Sequence, residues 1–102
     1  MTNYKYKYTL NFLPEALEEW NKVDKAIRNA FKKMLEKRLD EPCRPNLALR
    51  GLKDCYKLKL RDAGFRLVYH VKNTELIVTV ISVGKREDNI VYELAKNRLP
   101  LH

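Results

Sequence analysis

Lys57, Lys59, Arg61 and Arg66 are spaced so that two adjacent strands would gather all of them on one surface. Residues 55 to 61 alternate strictly, and a strand sends successive side chains to opposite faces. Tyr56, Leu58 and Leu60 therefore share one face and Lys57, Lys59 and Arg61 the other. Asp62-Ala63-Gly64 is a short turn whose glycine can take positive φ, so the next strand folds straight back as a hairpin. That strand places Phe65, Leu67, Tyr69 and Val71 on one side and Arg66, Val68 and His70 on the other. Like charges side by side on a sheet repel, and an anionic ligand would offset that cost. The bland alternative is a solvated sheet face with snorkelling lysines.

Such a cluster is suited to cleaving RNA. The substrate's own 2′-OH is the nucleophile, so the protein need supply only alignment, charge stabilisation and proton transfer. Arginines such as Arg66 and Arg86 clamp a phosphate that is gaining charge through fixed guanidinium donors. A lysine acts as a base only when its pKa is pushed down, which crowding of Lys57 against Lys59 and Arg66 would do. Tyr92 offers a flat ring for stacking and a hydroxyl for a hydrogen bond. Nothing in the set grips an arbitrary RNA. There is no Gly-rich phosphate loop followed by Lys-Ser/Thr, no carboxylate cluster for magnesium and no Glu/His pair. Neither metal nor cofactor is expected. His70 lies on the basic face by parity, near substrate or structural; His102 is terminal.

Charge is concentrated where this chemistry lies. Residues 44 to 86 hold ten Lys/Arg against three acids, which is +7 of the chain's formal +8. A localised excess of this kind points to a phosphate-binding site rather than to solubility alone. At 102 residues the chain suits one domain spanning 1–102. No apolar run is long enough to cross a bilayer, lysines interrupt any signal-like segment, and a cytoplasmic location is expected. Cys43 and Cys55 fit no zinc spacing and are read as inert rather than as a disulfide pair.

The elements that must position the cluster follow from periodicity. Tyr4, Tyr6, Tyr8, Leu10 and Phe12 alternate with polar residues as a half-buried strand; the tyrosine row packs in the core or stacks bases, and core packing is expected. Pro14 opens a short helix with Leu13, Leu17 and Trp20 as its stripe and Glu15, Glu18 and Glu19 near its positive end. Asp24 caps a longer helix carrying Ile27, Ala30, Phe31, Met34, Leu35 and Leu39, and the two form a hairpin. Its basic outer face is a solvated surface or a contact for ribosomal RNA. Pro42 and Pro45 end it, and an irregular stretch over 41–54 carries Arg50-Gly51. Leu76 to Val83 is continuously apolar, the mark of a strand covered on both faces. Asp88 or Asn89 caps a last helix in which Ile90, Val91 and Leu94 pack down and Tyr92 points elsewhere. The order predicts an α+β fold: N-terminal strand, two-helix hairpin, three-stranded antiparallel meander and C-terminal helix, with the helices on one side of the sheet.

Ala16-Leu17-Glu18-Glu19-Trp20, Leu49-Arg50-Gly51, Asp54 to Arg61, Gly64 to Tyr69, and Ile81 to Glu87 with Tyr92 following, resemble the RelE toxins of bacterial type II toxin–antitoxin systems, nearly end to end. The resemblance implies the RelE/ParE fold and a ribosome-dependent endoribonuclease that cuts messenger RNA in the ribosomal A site, leaves a 2′,3′-cyclic phosphate and halts translation. It places Lys57, Lys59, Arg66, Arg86 and Tyr92 on the catalytic positions, and Arg50, Arg61 and Lys85 on RNA-backbone contacts. The implied partners are mRNA on the ribosome, small-subunit rRNA and a RelB-like antitoxin, with no membrane. Two rivals remain: a ParE-like non-nuclease toxin acting on DNA gyrase, and a catalytically dead nucleic-acid-binding module, ranked last because no helix-turn-helix signature is present.

Overall fold

The computed structural model describes residues 7–87 and 90–99. Its elements are β1 (Thr9–Phe12), α1 (Pro14–Lys22), α2 (Lys25–Arg38), a 3₁₀ turn (Pro45–Leu47), β2 (Cys55–Leu60), β3 (Phe65–Lys72), β4 (Ile77–Lys85) and α3 (Ile90–Arg98). Strand order across the sheet is β1-β4-β3-β2, with β1 parallel to β4 and the remaining pairs antiparallel. The meander is as the alternation predicts. β4 sits inside the sheet, as its two-sided apolar sequence requires. Tyr4 and Tyr6 and the caps proposed at Asp88 or Asn89 lie outside the described residues.

One face of the sheet buries the main core. Leu58, Leu67, Tyr69, Val71, Val78, Val80 and Val83 pack there with Tyr8, Ala16, Phe31, Leu35 and Leu39. α1 lies against β4 and α2 against β2. Within α1 the buried residue is Ala16, fully enclosed, while Leu17 is exposed. A methyl group lets the helix approach the strand closely, which the Leu17 side chain would prevent; Trp20 instead packs edge-on against Phe12. Asp24 stands at the N-cap of α2 but its side chain makes no capping bond.

The other face carries α3. Val91 and Ala95 bury against Cys55, Val68 and Ile81, so the helices divide between two sides rather than sharing one. Covering β4 on both faces demands that division. Ile90, expected to pack down, is exposed, and Tyr92 leans on the second cluster instead of pointing away.

A β-bulge decides which side chains reach which face. Val68 pairs with Ser82 and Tyr69 with Val80, so Ile81 is an extra residue without its own partner in β3. Before the bulge Val78 and Val80 face the main core; after it Val83 does so, and Ser82 and Gly84 turn to the α3 side.

Candidate functional site

Lys59 stands directly opposite Arg66, and Arg66 opposite Gly84. Directly opposed residues have their Cβ atoms roughly 5 Å apart. Lys57 lies two residues along the same face, roughly 7 Å away, opposite Val68. Three of the expected cations thus form a row on the face that α3 only partly covers, and Gly84 leaves space beside Arg66.

The end of this row is built by the hairpin turn. Gly64, at φ +70°, donates its N–H to the Leu60 carbonyl at 2.8 Å. Its own carbonyl accepts the Arg86 N–H at 2.9 Å. That bond extends the β3–β4 pairing beyond Phe65–Lys85 and fixes the backbone of Arg86 beside the turn that carries Arg61. Arg86 and Arg61 are both exposed. Lys85 is exposed too, but its partner Phe65 packs against the main core, so register puts Lys85 on the opposite face from Arg66. Arg50 sits apart from the row, on the turn ahead of β2, followed by Gly51 at φ +84°.

Arg66 is only 7% exposed, and Nη1 donates to the neighbouring Phe65 carbonyl at 2.9 Å. Arginine is rarely this buried without an acidic partner. Among the described residues the ion pairs are Arg44–Glu41, Lys72–Glu75 and Arg98–Glu19, and none involves Lys57, Lys59, Arg61, Arg66 or Arg86. The crowding depresses a lysine pKa at Lys59, whereas the sequence alone points to Lys57. The Lys57 ammonium, above all, then desolvation, Arg61 and Arg66, hold Lys59 below the ordinary lysine pKa. Tyr92, on α3, is half-buried against the cluster containing Val68, the residue opposite Lys57. Unpaired cations, a lysine held below its ordinary pKa and an aromatic ring therefore occupy one side of the sheet.

His70 shares this face but not this place. It pairs with Cys55, four residues along β3 from Arg66 and roughly 13 Å away. It lines a separate cleft of about 440 Å³ with Leu52, Lys53, Asp54, Lys72 and Lys96. Its Nδ1 is buried without a hydrogen-bond partner in the described structure, and burial lowers its pKa. Cys43 is exposed and Cys55 buried, and both are free thiols; burial pushes the Cys55 thiol up to about 12. Among the described residues no group of His, Cys, Asp or Glu is placed to hold a metal ion, and no helix is long and apolar enough to cross a membrane.

Sequence reasoning missed Glu19, Ser82 and Arg98. By sequence Glu19 is a charge near a helix start, yet it accepts the Val83 N–H and binds Arg98 across 79 positions of sequence. Helical spacing within α1 carries no signal of either contact.

Residues 10–90 match the family model described as the ParE toxin of type II toxin–antitoxin systems, parDE. The mRNA interferase toxin RelE of Escherichia coli K12 is 47% identical over 92 residues, which is 90% of this chain and 97% of that protein. The structure of a mutant E. coli RelE in the free state superposes with a TM-score of 0.86 at 45% identity, covering 92% of this chain and 99% of that one. The toxin of the intact E. coli RelBE toxin–antitoxin complex matches at a TM-score of 0.76 and 48% identity, over 78% of this chain and 98% of that one.

Proposed function

We propose that this chain, which belongs to the RelE-like toxins of the ParE family of type II toxin–antitoxin systems, is an mRNA interferase that works on the ribosome and uses the Lys57–Lys59–Arg66 row as its cleavage site. The observation that carries the reading is the buried Arg66 within a cation row that no described carboxylate neutralises. A phosphodiester supplies the missing negative charge. In-line attack by the substrate 2′-OH adds charge to the phosphate, and Arg66 and Arg86 stabilise it. Lys59, held toward its neutral form chiefly by Lys57, takes the 2′-OH proton. The P–O5′ bond breaks, the leaving 5′-oxygen takes a proton from water, and a 2′,3′-cyclic phosphate remains. Tyr92 stacks on a base beside the scissile bond, and Arg61, Arg50 and Lys85 contact RNA backbone. Lys85 acts from the opposite face, so it engages a different segment of RNA from the one being cut.

The row lies on an open sheet face, and this supports a requirement for the ribosome. A shallow site of charge and stacking groups needs its substrate presented in the decoding A site. The exposed Lys25, Lys32, Lys33 and Lys37 of α2 suit contact with small-subunit rRNA. A RelB-like antitoxin blocks the same face, and the toxin acts in the cytoplasm. The family model bears the ParE name, so a toxin acting on DNA gyrase is the alternative; the unneutralised row beside Tyr92 favours RNA. Purified toxin incubated with naked mRNA, programmed ribosomes or gyrase with plasmid decides between them. Cuts inside translated codons on ribosomes, with naked mRNA left whole, are expected. Comparable cleavage of both RNAs removes the ribosome requirement, and gyrase inhibition without RNA cuts removes the whole reading.

A further inference from the structure

The sheet leaves part of β4 without a strand on one side. β1 pairs with it only from Ile77 to Val80, and the Leu13 N–H closes that ladder on the Val80 carbonyl at 3.0 Å. Beyond this point the bulge at Ile81 turns backbone groups toward the open edge, where buried polar groups must find partners. Two side chains supply them. Glu19 of α1 accepts the Val83 N–H at 3.1 Å, and Arg98 of α3 donates from Nη1 to the Ile81 carbonyl at 2.7 Å. The same two side chains also join fork to fork. Nη1 and Nη2 of Arg98 reach Oε1 and Oε2 of Glu19 at 3.0 and 2.7 Å. With side chains only 14% and 22% exposed, the pair is shielded from water and salt. One ion pair therefore ties α1, β4 and α3 together.

α3 has a second tether near its start, where the buried Ser82 hydroxyl donates to the Val91 carbonyl at 2.7 Å. Tyr92 is the next residue. The rest of the helix's hold on the sheet is apolar packing by Val91 and Ala95, which is not directional and does not by itself fix how the helix is tilted or rolled. In a helix this short, fixing both ends fixes the direction in which Tyr92 projects. Arg86 is secured elsewhere, by the Gly64 carbonyl, so the influence of the clamp runs to Tyr92.

We propose that Glu19 and Arg98 are positioning residues for RNA cleavage: by clamping α3 to the open edge of β4 they set the Tyr92 ring against the Lys57–Lys59–Arg66 row without touching RNA. The proposal rests on the reading of Tyr92 as the base-stacking group, and its test separates the two.

The experiment is single-turnover cleavage on programmed ribosomes, with toxin concentration varied, beside hydrogen exchange of the free toxin. The proteins are wild type, Glu19→Gln, Arg98→Lys, Tyr92→Ala and the double variants Tyr92→Ala/Glu19→Gln and Tyr92→Ala/Arg98→Lys. Glu19→Gln keeps the shape and an acceptor for Val83 but loses the charged fork. It should lower the maximal rate about 10- to 100-fold, the scale of a small misplacement in a reacting assembly. The half-saturating concentration should change by less than about twofold, because the pair makes no RNA contact. Amides of α3 should exchange faster while those of the β2–β3 hairpin do not. Arg98→Lys keeps the charge without the fork and should fall between Glu19→Gln and wild type; should Glu19→Gln melt below the assay temperature, it and its own Tyr92→Ala double carry the comparison. The decisive reading is epistasis: in the Tyr92→Ala background, Glu19→Gln should cost less than about twofold more. A full additional loss there, or a wild-type rate for Glu19→Gln alone, overturns the proposal and leaves the pair structural. A wild-type rate for Tyr92→Ala overturns the stacking reading first, and the positioning role with it.

Discussion

Two arginines are packed against this sheet, Arg66 on β3 and Arg98 on α3, and the protein treats them oppositely. Arg98 meets a carboxylate with both prongs and a backbone carbonyl besides. Arg66 is more enclosed as a residue, yet its recorded bond is to the carbonyl of its own neighbour. Burying a charge costs several kcal/mol unless it is paired, so the contrast separates tasks. At the α1–β4–α3 junction the charge is satisfied within the fold and holds the fold. In the row beside Lys59 no described carboxylate meets it, which is what the proposed phosphate site requires.

The largest expected effect comes from removing a donor at the site end. Arg86→Ala should lower cleavage on programmed ribosomes by about 100- to 1000-fold, the usual loss for one donor to a developing oxyanion. Exposed as Arg86 is, its melting should shift by no more than about 0.5 kcal/mol in stability. Arg86→Lys should fail as well, because an ammonium cannot reproduce the guanidinium fork. Wild-type cleavage by Arg86→Ala would remove Arg86 from the site, and loss through unfolding alone would make it structural.

The contrast itself is sharpened by replacing each of the two arginines with methionine. Arg98→Met strands the Glu19 carboxylate and should cost about 2 to 3 kcal/mol, somewhat below the ~3–5 kcal/mol of a fully buried pair because both side chains keep some exposure. Arg66→Met removes a charge that no described carboxylate offsets, so it should leave the fold no less stable while abolishing cleavage. Urea unfolding of both proteins checks this. Equal destabilisation would erase the distinction drawn between the two regions.

A smaller effect should appear in the pH–rate profile. Lys57 is the chief cause that holds Lys59 below its ordinary pKa, so at a given pH more of Lys59 is neutral and able to accept a proton. The rate should rise with pH as Lys59 loses its proton. Lys57→Ala removes the main repulsion, raises the Lys59 pKa and should move that rising limb to higher pH, apart from any fall in maximal rate. A limb that stays in place would exclude Lys59 as the base.

Much of this was written locally. The alternation of residues 55–61, the Asp62-Ala63-Gly64 turn and the unbroken apolar run of β4 each state their element, because strand parity and turn chemistry depend on neighbouring residues. The basic row could be read before any fold was known: Lys57 and Lys59 are two apart on one strand, and a tight hairpin brings Arg66 opposite Lys59. Tyr92 and Arg86 could be named for their chemistry, but only family likeness tied them to the row, since no periodicity does.

Tertiary structure decided what local pattern does not encode. Simple parity from Val78 and Val80 would send Gly84 and Arg86 toward the main core and bring Lys85 to the row; the extra residue Ile81 reverses this, because one bulged residue exchanges the faces of everything after it. The side taken by α3 depended on which face of β4 the first two helices left bare. The Glu19–Arg98 clamp depended on where β1 stops short along β4, a matter of strand length and sheet order that no spacing within either helix records. The sequence by itself determined which charges and which strands are present; the pairing of distant edges determined which charges are satisfied inside the fold and which are left without a described partner.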